Sequence, residues 1–239
     1  MTLVLTPEAA QEARRLIARL GELLQAAEAV PALPEPPPAG GGPRVLTAAD
    51  FEAAAARLGC GPAEIRAVYE VESAGAPFGP DGRATVLYEG HKFSEFTARR
   101  YDRTHGGVSW PTWDKTRYPR GTAAERHAAN WAKIEYAAGL DRDAAYRSAS
   151  YGAPQIMGFN FKACGFADVH AFVGAMNRSA ADQLAAFTDL VLAWGLDDEL
   201  RDRRWAAFAR RYNGPRYAEN GYDRKLAAAF ATWTARLTA

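Results

Sequence analysis

A single strand candidate, Ala84–Tyr88, interrupts a chain whose other patterned segments have the spacing of helices. Its β-branched and aromatic residues follow a stretch rich in glycine and proline. Around it, apolar residues recur at helical spacing between capping and stop residues. The predicted helices are Thr47–Leu58, Gly61–Gly75, His91–Arg100, Thr122–Ala138, Asp141–Ala149, Ala167–Met176, Ala180–Trp194, Asp198–Tyr212 and Tyr217–Leu237. One small β element among so many helices predicts an α-rich α+β fold.

A segment rich in proline and glycine, residues 31–43, divides the chain. Its sequence, PALPEPPPAGGGP, cannot continue a helix and predicts a linker. Before it, residues 1–30 are predicted to form an N-terminal appendage with an amphipathic helix over Thr6–Val30. After it, residues 44–239 are predicted to form the main domain. The appendage helix can pack on the domain, on a copy of itself or on another protein, and the sequence leaves these possibilities open.

Charge and apolar patterning exclude several classes of function. The 29 basic and 28 acidic residues give a formal net charge of +1, without the basic excess typical of nucleic-acid binding. No apolar run approaches the ~18 residues of a membrane span. The first residues lack the basic and apolar regions of a secretory signal. We therefore expect synthesis in the cytoplasm, with no nucleic-acid partner and no membrane span.

The histidines and cysteines form no metal-ligand pattern. The four histidines are scattered, and neither CxxC nor HxxxH spacing occurs. We therefore expect no metal site. Cys60 and Cys164 are predicted to be free buried thiols, and a disulfide between them in an oxidising compartment is the alternative.

Glu72 is the first candidate for catalysis, because it lies near the end of the second predicted helix. Ile65, Val68 and Glu72 fall on one stripe, so this carboxyl is predicted to point inward. Glu70 is turned away, one turn after Arg66, where a surface ion pair is expected. Burial and the helix dipole both raise the pKa of such a carboxyl, and general-acid cleavage of a glycosidic bond requires a protonated group. A structural glutamate bonded to nearby backbone or to an arginine is an equally weighted alternative.

The segment Ser148–Asn160, SASYGAPQIMGFN, is predicted to be a loop that binds sugar. Small residues allow a sugar to approach the backbone, and Ser150, Tyr151 and Gln155 supply hydroxyl and amide groups. The alternative is an ordinary loop between helices.

The segment Arg210–Pro215, RRYNGP, lies at a predicted helix end. Tyr212 offers a flat apolar face with a polar tip, which suits sugar rings. Asn213 and the glycine after it suit a C-cap turn, so a purely structural turn is again the alternative.

The order of these segments resembles a known family. VESAG, then SYGAPQIMGFN, then RRYNGP is similar to the three-motif series of goose-type lysozymes and soluble lytic transglycosylases. With VLYEGHKF placed after VESAG, the series looks most like the phage-type N-acetylmuramidase domain of modular endolysins. The resemblance extends from Thr47 to the C-terminus. It leaves out residues 1–43, where members of that family often carry a peptidoglycan-binding module.

The resemblance implies a lysozyme-like helical domain that cleaves the β-1,4 bond between N-acetylmuramic acid and N-acetylglucosamine in peptidoglycan glycan strands. It implies no metal or organic cofactor. Glu72 matches the catalytic general acid of the family. The residues that match the sugar cleft are Gln155, Met157 and Tyr212, and we add Ser150, Tyr151 and Asn213 from the same two motifs.

The second catalytic group is left open. Glu89 follows the strand candidate and is a candidate base that would hold a water opposite Glu72; an inverting hydrolase needs its carboxyls roughly 6.5–9.5 Å apart. The equally weighted alternative is a carboxylate at a helix N-terminus, stabilised by the helix dipole and by His91 or Lys92. Asp81 is a weaker candidate, since Asp-Gly is an ordinary turn signal.

The turn-rich, aromatic segment Tyr101–Gly121 is predicted to form one rim of the cleft. Trp110 and Trp113 either stack on sugars or seal the segment against the domain. The large apolar area of tryptophan favours sealing.

Two other functions remain open at this point. A lytic transglycosylase needs no base, because the muramyl 6-hydroxyl closes on the anomeric carbon and leaves a 1,6-anhydro end. A non-catalytic wall protein would keep the cleft without activity. The lack of a signal fits a phage lysin released through a membrane pore or an effector delivered by a secretion machine. The sequence identifies neither the delivery machinery nor an immunity protein.

Overall fold

The computed structural model describes residues 44–72, 76–214 and 217–238, together with residues 11–12, 15–16, 18–19 and 42. Most of the predicted linker and N-terminal helix, and the predicted helix stop at Gly75, lie outside the described residues. The helices in the described part are α1 (Ala48–Leu58), α2 (Pro62–Glu72), α3 (Gly90–Phe96), α4 (Ala123–Leu140), α5 (Arg142–Arg147), α6 (Val169–Arg178), α7 (Ala180–Ala193), α8 (Asp197–Arg201), α9 (Trp205–Tyr212) and α10 (Tyr222–Thr238).

Three short strands form the only sheet in the described residues, with the order β1-β2-β3. They are β1 (Val86–Tyr88), β2 (Ala149–Tyr151) and β3 (Ile156–Met157), and both pairings are antiparallel. Single 3₁₀ turns span Lys115–Arg117, Gly158–Asn160 and Tyr217–Asn220. A small sheet among helices confirms the α-rich α+β prediction.

Side-chain caps fix where α1 and α4 begin, as their sequences predict. The Thr47 hydroxyl accepts a hydrogen bond from the Asp50 backbone N–H at 3.3 Å, and the Asp50 carboxylate accepts one from the Thr47 N–H at 2.7 Å. Thr122 and Glu125 repeat this reciprocal capping box at the start of α4. Gly59, with a φ of 66°, ends α1 in the left-handed conformation that glycine adopts without strain.

The segment Ser148–Asn160 is a β-hairpin, so its prediction as a loop was wrong. β2 pairs with β1 through Leu87 opposite Ser150, and with β3 through Ser150 opposite Met157. The two strands of the hairpin are too short to show an alternating pattern in the sequence. Gly152, with a φ of 71°, begins the turn between them.

The predicted helix Asp198–Tyr212 is two helices, α8 and α9. Arg203 adopts a φ of 58° between them, which breaks the helix. In that position the Arg203 Nε donates to the buried Glu64 carboxylate at 2.9 Å. An unpaired buried carboxylate is costly, and this ion pair favours the break over a continuous helix.

The core lies between the sheet and the helices that surround it. Trp131 of α4 is 1% exposed and donates its indole N–H to the Ala84 carbonyl at 3.0 Å. α2 packs against α10, which brings the C-terminal helix beside the end of α2. Cys60 and Cys164 are free thiols, and burial raises the pKa of each to about 12. No helix in the described residues is long and apolar enough to cross a membrane.

Candidate functional site

Glu72 lies at the C-terminal end of α2, on the stripe that its sequence predicts. Ile65 and Val68, on the same stripe, are completely buried. Glu72 itself is partly buried and is the last residue of α2. The carboxyl therefore lies at the border between the packed interior and the surface.

The environment of Glu72 favours its protonated form. Burial raises the pKa of this carboxyl, and a hydrogen bond from Asn213 and the charge of Lys225 act against that shift without cancelling it. The Asn213 side-chain N–H donates to Glu72 Oε1 at 2.9 Å. Tyr212 and Tyr222 lie close enough for the Glu72 charge to raise the pKa of both phenols further, beyond the effect of burial.

Glu70 has different surroundings, although it is only two residues away on α2. Its carboxylate accepts a hydrogen bond from the indole N–H of Trp233 at 2.7 Å. Arg66, its predicted partner, instead lies over the rings of Phe51 and Trp233, at 4.1 and 4.9 Å from their centroids. Glu70 and Glu72 thus differ in burial, as the helical spacing predicts, but Glu70 binds Trp233 and not Arg66.

The turn after α9 joins Glu72 to the β-hairpin. Asn213 ends α9 and contacts Glu72, and the hydroxyl of the preceding Tyr212 donates to the Pro154 carbonyl at 3.4 Å. The Tyr212 ring stacks on Phe208 at a centroid distance of 5.5 Å. Three segments far apart in the sequence therefore meet at one place.

The hairpin presents one face away from the core. Side chains alternate along a strand, and residues directly opposite each other share a face. Val86, Tyr88, Tyr151 and Ile156 are buried and face the core. The opposite face, which we call the open face, carries the partly buried Leu87 and Met157 and the buried Ser150. By the same alternation, Glu89 follows β1 on this face.

Three predicted sugar-binding residues of this hairpin, Ser150, Tyr151 and Gln155, have side chains that are engaged by the protein. Tyr151 is completely buried, and its hydroxyl donates to the Tyr146 carbonyl at 3.1 Å. It therefore offers no surface to a glycan. Gln155 has a φ of 48°; its amide N–H donates to the Gly152 carbonyl at 2.7 Å, and its carbonyl accepts from the Ser150 hydroxyl at 2.8 Å. These bonds hold the turn of the hairpin.

Glu89 follows β1 and is the residue before α3, but its side chain does not cap that helix. Its carboxylate accepts a short hydrogen bond from the Tyr118 hydroxyl, and His91 Nδ1 lies 3.3 Å from it. Burial raises the pKa of Glu89, and the bond from Tyr118 and the charge of Lys92 oppose this shift. Glu89 is thus a second partly buried carboxyl with a raised pKa, on the open face.

Asp81 is held in a network of ion pairs. Arg83 Nε donates to it at 2.8 Å, and His127 Nε2 lies 2.7 Å from it. Although partial burial acts in the other direction, hydrogen bonds from Arg83 and His127 lower the pKa of Asp81. These contacts fix the loop before β1 and leave the carboxylate poorly placed to activate a water.

The segment Tyr101–Gly121 contains one sealed and one exposed tryptophan. Trp110 is 3% exposed and packs on Gly90, where any Cβ would overlap its ring. Trp113 is 62% exposed, and its ring lies 6.3 Å from that of Tyr118. Since Tyr118 binds Glu89, this segment borders the open face.

Three residues of the site were missed by the sequence analysis. The alternation of residues 85–89 could have placed Leu87 beside Glu89 on the open face. No local signal connects Tyr118 with Glu89 or Lys225 with Glu72, because each pair meets only through the fold. Among the described residues, no group of three or more His, Cys, Asp or Glu side chains could hold a metal ion.

Comparisons with known proteins identify the family and the fold of this chain. A family model described as N-acetylmuramidase matches residues 61–234. The crystal structure of the Burkholderia AP3 phage endolysin superposes with a TM-score of 0.72 at 42% sequence identity, covering 83% of this chain and 74% of that chain. None of the curated proteins matches this chain.

Proposed function

Since this chain belongs to the N-acetylmuramidase family and is a lysozyme-like hydrolase of peptidoglycan, we propose that Glu72 is its general acid. The bond cleaved in this proposal is the β-1,4 bond between N-acetylmuramic acid and N-acetylglucosamine. The observation that carries the proposal is the raised pKa of Glu72 at the meeting point of the three motifs. A carboxyl with a raised pKa keeps its proton at a higher pH than a solvated glutamate.

Asn213 determines which oxygen of Glu72 delivers the proton. Its amide N–H occupies Oε1, so the transferable proton belongs on Oε2. As the glycosidic oxygen takes this proton, Glu72 becomes a carboxylate, and the bond to Oε1 strengthens as the charge develops. In this proposal Asn213 positions the acid and stabilises its ionised form.

Glu89 is the proposed base that activates the attacking water. It lies on the open face, where burial raises its pKa and the hydrogen bond from Tyr118 opposes that rise without cancelling it. An inverting mechanism uses two carboxyls in this way on opposite sides of the sugar ring. Tyr118 then holds one carboxylate oxygen and leaves the other to bind the water.

The open face is the proposed floor of the glycan-binding cleft. Met157 lies on it opposite Ser150, which is buried and bonded to Gln155, and Leu87 continues it toward Glu89. Tyr212 and Gln155 border the cleft and hold the turn after α9 against the hairpin turn. We leave Tyr151 out of the binding site, because it is buried on the other face.

We assign the catalytic domain to residues 44–239 and treat residues 1–30 and 31–43 as an appendage and a linker. The start of the domain is held in place by the Arg44 side chain, which donates to the Gly82 carbonyl at 2.8 Å. The proposed partner is the peptidoglycan glycan strand.

The variant Glu72→Gln tests the proposed acid. It keeps the hydrogen bond from Asn213 and removes the transferable proton, so it should fold normally and lose cell-wall clearing. Glu70→Gln is the matched control on the same helix, since Glu70 contacts Trp233 and not the cleft. Full clearing by Glu72→Gln would refute the mechanism.

Analysis of the products tests the reaction type. Hydrolysis leaves reducing N-acetylmuramic acid ends on the released fragments, and mass spectrometry identifies them. Fragments with 1,6-anhydro ends would instead show a lytic transglycosylase and would leave Glu89 without its role as a base. Binding to peptidoglycan with no fragments from the unmodified chain would show a non-catalytic wall protein.

A further inference from the structure

Trp113 leaves most of a large aromatic side chain in water. It is 62% exposed, whereas Trp110, three residues before it, is 3% exposed. Burial of an indole ring stabilises a protein or a complex substantially, since it removes a large apolar area from water. Covering the exposed ring of Trp113 with a ligand would therefore stabilise the complex.

The backbone beside Trp113 is held rigidly. The Asp114 carboxylate accepts from the Thr116 backbone N–H at 2.9 Å and from the Thr116 hydroxyl at 2.7 Å. Lys133 Nζ donates to the Arg117 carbonyl at 2.7 Å, which fastens the same turn to α4. A ring presented by an ordered turn loses little conformational entropy when it binds.

Trp113 is connected to the open face through Tyr118. The two rings lie 6.3 Å apart at an interplanar angle of 48°, and the Tyr118 hydroxyl donates to Glu89. Burial raises the pKa of Tyr118, and the neighbouring Trp113 side chain acts in the opposite direction. The indole ring thus lies beside Tyr118 and leaves most of its surface exposed.

We propose that Trp113 forms a sugar subsite at the Glu89 end of the open face, where it stacks on the apolar face of a pyranose ring of the glycan strand. This inference rests on the proposed function, because the open face must be the floor of the cleft. The amphipathic character of a pyranose suits the site, since its C–H face meets the ring and its hydroxyls remain in water. A second copy of this chain is the competing occupant.

The test compares the steady-state kinetics of Trp113→Ala with those of the unmodified chain on soluble, peptide-free glycan strands. We expect KM to rise about tenfold, as for truncation of a stacked aromatic anchor, and kcat to change less than about twofold. Trp113→Phe keeps a flat ring, and its KM should stay within about threefold. Tyr136→Ala, on an exposed aromatic residue of α4, is the matched control with unchanged kinetics.

An unchanged KM in Trp113→Ala would overturn the subsite. A dimer of the unmodified chain in sedimentation, abolished in Trp113→Ala with KM unchanged, would also overturn the subsite and would identify a second copy as the occupant. Failure of the proposed acid would be seen separately, as full activity of Glu72→Gln. The KM comparison remains valid in that case, because it uses chains in which Glu72 is intact.

Discussion

Replacing Asn213 with alanine separates a role in positioning the acid from a role in binding sugar. Asn213 has φ and ψ of −96° and −3°, which alanine adopts without strain, and its backbone N–H keeps its bond to the Ala209 carbonyl. The variant therefore loses little beyond the 2.9 Å bond to Glu72 Oε1. Asn213→Ala therefore changes the environment of the Glu72 carboxyl with little effect on the rest of the fold.

The magnitude follows from the change in charge on Glu72 during proton transfer. A hydrogen bond contributes about 1.5–3 kcal/mol when its acceptor is charged and about 0.5–1.5 kcal/mol when it is neutral. The difference, roughly 1–1.5 kcal/mol, is the part lost only in the transition state, and each 1.36 kcal/mol is a tenfold change in rate. We expect kcat to fall about tenfold, with KM nearly unchanged.

The pH profile supplies a second readout with a definite sign. Glu72 must be protonated to act, so activity falls as the pH rises through its pKa. The bond from Asn213 lowers that pKa against the effect of burial. Its removal raises the pKa further, so the alkaline limb of the profile should move to higher pH although the maximal rate falls.

The assay measures kcat, KM and the pH profile on soluble glycan strands for the unmodified chain, Asn213→Ala and Asn220→Ala. Asn220 is an exposed asparagine in the next turn of the chain and serves as the control. A raised KM with an unmoved alkaline limb would refute this reasoning and would make Asn213 a sugar-binding residue, as the sequence analysis predicts.

Two further predictions concern the pKa of Glu89 and the packing of Gly90 against Trp110. Tyr118→Phe removes the hydrogen-bond donor that opposes the rise in the pKa of Glu89 caused by burial. Because a base must be ionised to act, the acidic limb of the pH profile should move to higher pH in this variant. An unmoved acidic limb would argue against Glu89 as the base. Gly90→Ala places a Cβ inside the ring of the buried Trp110 and should destabilise the fold by about 1–3 kcal/mol in chemical denaturation. Gly107→Ala is its control, because a Cβ there meets no atom within 4 Å, and equal stability of the two variants would contradict the packing argument.

Features that depend on residues close together in the chain could be predicted from the sequence. Capping boxes at Thr47 and Thr122 set the starts of two helices, because their partners are three residues away. Helical spacing distinguished Glu72 from Glu70, since a residue's face is set by its position within the same helix. The order of the motifs also predicted the family that the comparisons confirm.

Contacts between groups that are distant in the sequence became visible only in the folded structure. The bond between Asn213 and Glu72 joins residues 141 positions apart, and the one between Tyr118 and Glu89 joins residues 29 positions apart. The structure also buried Tyr151 against the core and occupied the Gln155 amide within the hairpin. Such contacts depend on how helices and strands pack together, so no local pattern encodes them, and the pKa values of both carboxyls follow from that packing.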